Sequence, residues 1–485
     1  MKTILPLLLI LVLAGSSFPV HAAGTITVNS LTDSIADDGQ CSLREAVIAA
    51  NTDTATGGCE AGSGADTIVF DASLPSPATF TLTLSGANED TAASGDLDLS
   101  GILTIQGTGA SQIIIDGNNA DRIFDVRPGA TITISDVTVQ HGNPGSGAGG
   151  GGLIVSGGAP RAKLTLLNSI VSANTAQIGG GIYNVGNGAT AVIQDTLILS
   201  NTAQTSGGGI ANSGDLTLLN STLTQNQART GGGVEHFGFS MRLTNATISG
   251  NRASDNGGGL YNRGDALILN VTFSGNTASG PGTGSNIFQD TASLNIKNSI
   301  VAASDLDGNC FVNEGFLISQ GNNLDSGNTC GFNAGGDRIN TDPLLGPLQN
   351  NGSTTPTHAL LYGSPAIDAG NNNGCPTADQ RGLPRPADGD LNGTATCDIG
   401  AYEAQIVSSS ITPSPTPPPT TDTPSPLPQT PTFTPSSQPP TLTPTFTPVP
   451  PTPTPIPPTT SPCAATGAFL AVLALFFRRL ATHGS

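Results

Sequence analysis

Residues 216–229 read LTLLNSTLTQNQAR, and this stretch decides the fold. Apolar and polar side chains alternate through Leu216, Leu218 and Leu223, the period of a strand with one buried face. The pattern recurs as LTLLNSIVSANTAQ from 164, AVIQDTLILSNTAQ from 191, MRLTNATISGNRAS from 241 and ALILNVTFSGNTAS from 266. Two columns run through the stack. One holds Asn168, Asp195, Asn220, Asn245 and Asn270; the other, six residues on, holds Asn174, Asn201, Asn226, Asn251 and Asn276, at steps of 27, 25, 25 and 25 residues. A Gly triplet opens the next segment each time: GGGIYN at 179, GGGIAN at 207, GGGVEH at 231 and GGGLYN at 257.

A fixed period of this length marks a solenoid. Short alternating strands joined by Gly and Asn turns make it a parallel β-helix, each coil burying its inner face on its neighbours. Asn recurs because its amide bonds the same amide one coil away and tolerates turn conformations. Less regular coils extend upstream through 102–109, 112–126 and 131–142, and downstream through 294–304. After each triplet the apolar residue is expected to point in (Ile182, Ile210, Val234, Leu260) and the next to point out (Tyr183, Ala211, Glu235, Tyr261).

Composition agrees. Of 485 residues 63 are Gly, 11% are charged, and none is Trp. So few Lys and Glu exclude coiled coils and most helical repeats. The net charge of −19 excludes nucleic-acid binding through a basic surface.

The ends supply an address. Lys2, the apolar run Ile4–Ala14 and Val20-His21-Ala22 form a secretory signal, with cleavage expected after Ala22 or Ala23. Residues 464–477 are apolar and Arg478-Arg479 follow, with Cys463 just outside. Fourteen helical residues reach only ~21 Å, so they span a bilayer only where it thins or the arginines snorkel. The layout resembles the tripartite C-terminal sorting signals of bacterial surface proteins, which implies recognition by envelope sorting or processing machinery at Cys463, or a plain membrane anchor. Between body and tail, 406–462 is rich in Thr-Pro steps. Pro removes donors and fixes φ, so a disordered, polyproline-like stalk with a reach on the order of 150 Å is expected. Six body cysteines, Cys41, Cys59, Cys310, Cys330, Cys375 and Cys397, fit an oxidising compartment. Pairing sequence neighbours is one of 15 connectivities.

The start of the body reads as a cap. Ser42-Leu43-Arg44-Glu45 fits a capping box, and Leu43, Ala46, Val47 and Ala50 form one apolar stripe. Cys41–Asn51 is therefore expected to plug the open end of the solenoid, with Arg44 and Glu45 structural.

Here a family resemblance enters. TVNSLTDSIADDGQCSLREAVIAANTD (27–53) resembles the CSLREA module of bacterial surface proteins. DPLLGPLQNNG (342–352), THALLYGSPAIDAG (357–370), DQRGLPRP (379–386) and CDIGAYE (397–403) resemble the choice-of-anchor Q module. The middle resembles right-handed parallel β-helices of the pectate-lyase-like superfamily. The resemblance implies secretion, surface display and a β-helix, but no particular reaction. The expected organisation is signal peptide 1–23, cap 24–65, β-helix 66–336, C-terminal module 337–405, linker 406–462 and sorting or transmembrane segment 463–485. The fold class is all-β, a right-handed parallel β-helix with an N-terminal helical cap.

Candidate sites are few. Tyr183, Glu235 and Tyr261 share the outward flank, where Tyr rings stack on sugars. ADGDLNG (387–393) alternates Asp388, Asp390 and Asn392 before Gly393, with Asp398 following, a donor pattern that suits a structural Ca²⁺ or an acidic turn. A full EF-hand fails, since its twelfth position is Ile399. Bases are scattered and polygalacturonase signatures are absent. Asp116, Asp121 and Asp125 cluster in sequence, but Asp116 reads as a turn residue; His141 and His236 read as turn or coil-surface residues. No catalytic residue is assigned. The expectation is a non-catalytic, adhesin-like surface protein binding a glycan or protein. The alternatives are a polysaccharide lyase or hydrolase, and a spacer with no ligand.

Overall fold

The computed structural model describes residues 24–86, 89–279, 282–302 and 308–405. The signal segment, the Pro/Thr-rich linker and the tail with Cys463 lie outside the described residues. Among the described residues there is one α-helix, and the rest of the regular structure is strand.

The strands stack into three long sheets. One has eleven strands, from Gly24–Val28 to Phe316–Ser319; one has ten, from Ala78–Thr81 to Leu324–Asp325; one has nine, from Leu97–Leu99 to Cys310–Val312. Within each, successive coils pair in parallel. The alternation in the sequence sets which side chains face in. Leu166, Ile193, Leu218, Leu243 and Ile268 are in register on the eleven-stranded sheet, and Val171, Ile198, Leu223, Ile248 and Phe273 on the ten-stranded one. All ten are buried in one continuous core.

The two Asn columns do different jobs. Asn168, Asp195, Asn220, Asn245 and Asn270 turn the chain from the eleven- to the ten-stranded sheet, with φ between 48° and 51°. Asn and Asp accept this left-handed conformation more readily than other side chains. The second column is an amide ladder. Asn174 Nδ2 donates to Asn201 Oδ1 at 3.0 Å, and the relay passes through Asn226, Asn251, Asn276, Asn286 and Asn309. It ends where Asn309 Nδ2 donates to Asp325 Oδ1 at 2.6 Å. Each amide also donates to an interior carbonyl, as Asn226 does to Ile198 at 2.9 Å. The Gly triplets follow from close approach. The first Gly has positive φ, +64° at Gly207, and a Cβ on the second, Gly208, would meet the carbonyl of Gly232 in the next coil.

After the ladder Asn, four central coils add a strand to a small four-stranded sheet, from Thr175–Ile178 to Arg252–Asn256. The triplet then returns the chain to the nine-stranded sheet.

At the N-terminal end the helix Leu43–Thr52 has the full capping box on Ser42. Glu45 accepts N–H bonds from Ser42 at 2.9 Å and Ala36 at 2.7 Å. Arg44 is 0% exposed, pairs with Asp33, and donates to the carbonyls of Ala92 and Gly95 at 2.9 Å each. Both residues are structural, as the sequence indicated.

Residues 341–405 run over the outward side of the ten-stranded sheet. The Gln380 amide donates to Thr222 Oγ1 at 2.8 Å and accepts from Thr247 Oγ1 at 2.7 Å. Ser249 bonds His358 at 2.9 Å, and the Ala401 N–H reaches Thr272 Oγ1 at 3.0 Å. Further along, Ile300 and Leu324 pack on Leu360, Ala366 and Ile399. The DQRGLPRP and CDIGAYE motifs fold this segment on itself. The Arg381 guanidinium lies 3.6 Å over the Tyr402 ring, and Arg385 pairs with Glu403 at 3.1 Å with both side chains fully buried. The three disulfides join Cys41–Cys59, Cys310–Cys330 and Cys375–Cys397, the sequence-neighbour connectivity.

Candidate functional site

The nine-stranded sheet keeps its outward column free of the C-terminal segment in every contact described above. Its central strands begin on the residue after the Gly triplet, so the alternation predicted from sequence holds: Ile182, Ile210, Val234 and Leu260 are fully buried. The next residues, Tyr183, Ala211, Glu235 and Tyr261, stand in register on the other side. The column continues through Phe288 and Phe311 toward the C-terminus, and through Ile154, Asp125 and Asp98 toward the N-terminus. Nine positions at ~4.8 Å each give a line ~38 Å long.

The two ends of that line differ in chemistry. Toward the C-terminus it is aromatic. Tyr261 stacks on Phe288 with centroids 5.0 Å apart, and Phe288 on Phe311 at 5.3 Å. Phe311 is 37% exposed, whereas Tyr261 and Phe288 are 9% and 6% exposed. The Arg263 guanidinium sits 5.2 Å from the Tyr261 centroid and 5.5 Å from that of Phe237, and pairs with Glu235. Glu235 is buried, and its other oxygen accepts from Thr230 Oγ1 at 2.6 Å. The charged group presented to solvent is therefore Arg263, not Glu235. Tyr261 donates to Asp290 at 2.8 Å; burial, then that bond, pushes its hydroxyl up to about 12. Tyr183 is half-buried, and burial with the Glu235 charge raises its pKa.

Toward the N-terminus the line is acidic. Arg122 pairs with Asp96 at 3.0 Å and Asp125 at 3.5 Å. Arg127 pairs with Asp90 at 2.9 Å, Asp125 at 3.0 Å and Asp98 at 3.4 Å. Burial, aided by neighbouring carboxylates, pushes Asp96 up to about 7 and Asp98 up to about 6. Of the three aspartates noted in sequence, Asp121 and Asp125 belong here. Asp116 does not; it pairs with His141 at 2.9 Å by the ten-stranded sheet.

His236 departs from the expectation of a turn or surface residue. It is 0% exposed and points inward, in register between Asn212 and Asn262. Its Nδ1 accepts from the Asn212 amide at 2.9 Å and its Nε2–H donates to the Asp265 carbonyl at 3.3 Å. Burial lowers its pKa. The register explains it: two residues past an inward Val234 the side chain points inward again.

The acidic loop of the C-terminal segment keeps Asp388, Asp390 and Asn392 together and sets Asp398 apart from them. Asp388 accepts N–H bonds from Asn392 at 3.0 Å and Gly393 at 2.9 Å, and Asp390 accepts from the Asn392 N–H at 3.0 Å. Asp398 is buried, with its oxygens on the N–H groups of Asp368 and Ala404; burial and Glu403 push it up to about 8. The carboxylates that converge are Asp388, Asp390 and Asp368, with oxygens within 4.8 Å of one another. Burial and its two neighbours raise Asp368. A shallow polar groove of ≈ 390 Å³ lies elsewhere, lined by Ser200, Gln227, Arg252 and Thr277; Arg252 is its sole charged member.

Sequence reasoning missed Phe288, Phe311, Arg263, Asp96, Asp98 and Asp368. A signal existed for one of them, Asp98. Leu97-Asp98-Leu99 and Phe124-Asp125-Val126 each carry Asp between apolar residues, the same in-out-in pattern as the triplet coils.

This fold is a right-handed parallel β-helix. The family described as "Right handed beta helix region" matches residues 100–278. Among solved structures, the crystal structure of pectate lyase Pel9A aligns with 79% of this chain and 96% of its own, at 12% identity and a TM-score of 0.39. No curated protein matches the chain.

Proposed function

We propose that the protein is an exported, surface-anchored β-helix that binds a glycan along its nine-stranded face without cleaving it. The observation that carries this reading is the outward line from Tyr183 to Phe311, with Arg263 among its rings. Aromatic faces stack on the apolar faces of sugar rings, and Arg supplies donors for hydroxyl or carboxylate oxygens. Arg263 and Phe311 are the exposed contacts, and Tyr183 is a half-buried one. Tyr261 and Phe288 form the floor, and Glu235 fixes Arg263. The signal segment, linker and tail supply the address, through envelope sorting machinery or membrane insertion.

The rival reading is polysaccharide cleavage. The observation favouring it is the carboxylate group of Asp96, Asp98 and Asp125 on the same line, where two raised pKa values suit general acid work. A structural Ca²⁺ belongs to the C-terminal segment, on Asp368, Asp388 and Asp390. These three carboxylates fit a hard cation by donor type, with Asn392 shaping the loop.

The test is to expose residues 24–405 to acidic and neutral polysaccharides with Ca²⁺ present, recording bound glycan and new chain ends. Binding without new ends, weakened at least about tenfold by Tyr183→Ala, is the expected outcome. New chain ends that vanish in Asp125→Asn would transfer the protein to the enzyme reading. Silence in both channels would leave the face a spacer.

A further inference from the structure

The acidic end of the nine-stranded face is partly covered by residues 89–96, and the way they are fastened is unusual. The Ala92 N–H donates to Asp98 Oδ2 at 3.0 Å, Asp90 pairs with Arg127, and Asp96 with Arg122. From the cap side, Arg44 holds the carbonyls of Ala92, Gly95 and Asp96, its own charge answered by Asp33. Ser94 and Thr91 N–H groups bond the Glu89 carboxylate within the segment.

The charges do not balance. Glu89, Asp90, Asp96, Asp98, Asp121 and Asp125 all act on this seam, and Arg122 and Arg127 are the guanidinium groups that answer them. Asp96, Asp98 and Asp125 are each under 7% exposed, so water screens their mutual repulsion poorly. A proton on one of these carboxylates removes one negative charge from the seam and adds a donor.

We propose that residues 89–96 form a proton-controlled clasp: closed on the nine-stranded face in mildly acidic surroundings, and released above neutral pH to uncover Asp98 and Asp125. The device is independent of whether the face binds glycan. Its direction follows from proton linkage. Asp96 and Asp98 hold protons in the closed state that they give up when solvated, so lowering pH favours closure and raising it favours release. Arg122, Arg127 and Arg44 stay charged throughout, so only the carboxylates switch.

Amide hydrogen exchange on residues 24–405 tests it, as protection factors corrected for the intrinsic pH dependence. Residues 89–98 should lose roughly tenfold or more in protection between pH 5.5 and pH 8, the change expected when a carboxyl perturbed by about three units titrates on release. Strand Leu260–Asn262, on the same sheet but away from the seam, should not change. Asp96→Asn, a permanently neutral mimic, should shrink the loss to the part that Asp98 still contributes; Asp98→Asn, which should shrink it by the complementary, smaller part, serves if that variant folds poorly by circular dichroism. Equal wild-type protection at the two pH values, or a loss shared by 260–262, overturns the clasp. Neither result bears on glycan binding, which is read separately at fixed pH.

Discussion

The ten-stranded and nine-stranded faces are made by the same coils, yet residues 341–405 pack on the first, while the second buries most of its outward column by itself. On the ten-stranded face the outward Thr222, Thr247 and Thr272 form a hydroxyl row that residues 341–405 bond to, and Ile300 and Leu324 continue it as an apolar patch beneath Leu360 and Ile399. On the nine-stranded face the same register carries Tyr183, Glu235, Tyr261 and Phe288. Inward positions are similar on the two faces, mostly aliphatic or amide, with Phe273 and His236 among the exceptions. The difference teaches that a coil's inward residues specify the solenoid, while one outward residue per coil is left to specify what covers that side.

The largest way to break the contrast is to unseat the seal. Arg385→Ala leaves Glu403 buried beside Asp398 without its guanidinium, which costs about 3–5 kcal/mol. Denaturant titration should show that loss, and limited proteolysis should cut within 341–405 before the central coils. Unchanged stability would mean that the seal rests on the Thr row alone.

A smaller effect lies beneath the open face. His236 is held neutral in the fold, with a pKa below its usual 6.5, while the unfolded chain takes up a proton there. Its contribution is therefore fully present above about pH 6.5 and lost as pH falls below it, at up to about 1.4 kcal/mol per pH unit. Asp96 and Asp98 act in the opposite sense, stabilising as pH falls through about 7 and about 6. The clean readout is the difference between wild type and His236→Asn. Asn suits a register whose neighbours are Asn212 and Asn262, so the variant should gain relative stability steadily from pH 6.5 to 5. A flat difference would show that the ring titrates in the fold as it does in the unfolded chain.

The smallest effect is calcium. Calorimetry on calcium-stripped protein should give heat at millimolar Ca²⁺ that Asp388→Asn abolishes, with a modest gain in thermal stability confined to the sealed side. No heat rules the site out.

The regular coils were legible because each repeats its Asn turns and Gly triplet at a near-constant step, so position alone told inside from outside. The disulfides and the capping box were legible from local spacing. The site was only half legible. Tyr183 and Tyr261 follow intact triplets, but the coil holding Phe288 opens with Thr283-Gly284-Ser285-Asn286, and the ladder step from Asn276 shrinks to ten residues. The column therefore lost its sequence marker just where the aromatics continue. Asp98 and Asp125 sit in coils with no triplet, 27 residues apart. Asp398 looked like a loop ligand by spacing, whereas the N–H groups of Ala404 and of Asp368, the latter 30 residues away, hold it in the interior, and local spacing does not encode the second.

The asparagine ladder has a direction. Every rung donates toward the C-terminal end and accepts from the N-terminal side, so seven amide dipoles point one way and terminate on the carboxylate of Asp325. Such a chain polarises cooperatively, and its positive pole needs a negative terminus, as the end of a helix does. The solenoid is thus an electrically polar rod. Asp325 is its counter-charge, and a coil inserted anywhere along the stack would lengthen the dipole without disturbing the terminus that neutralises it.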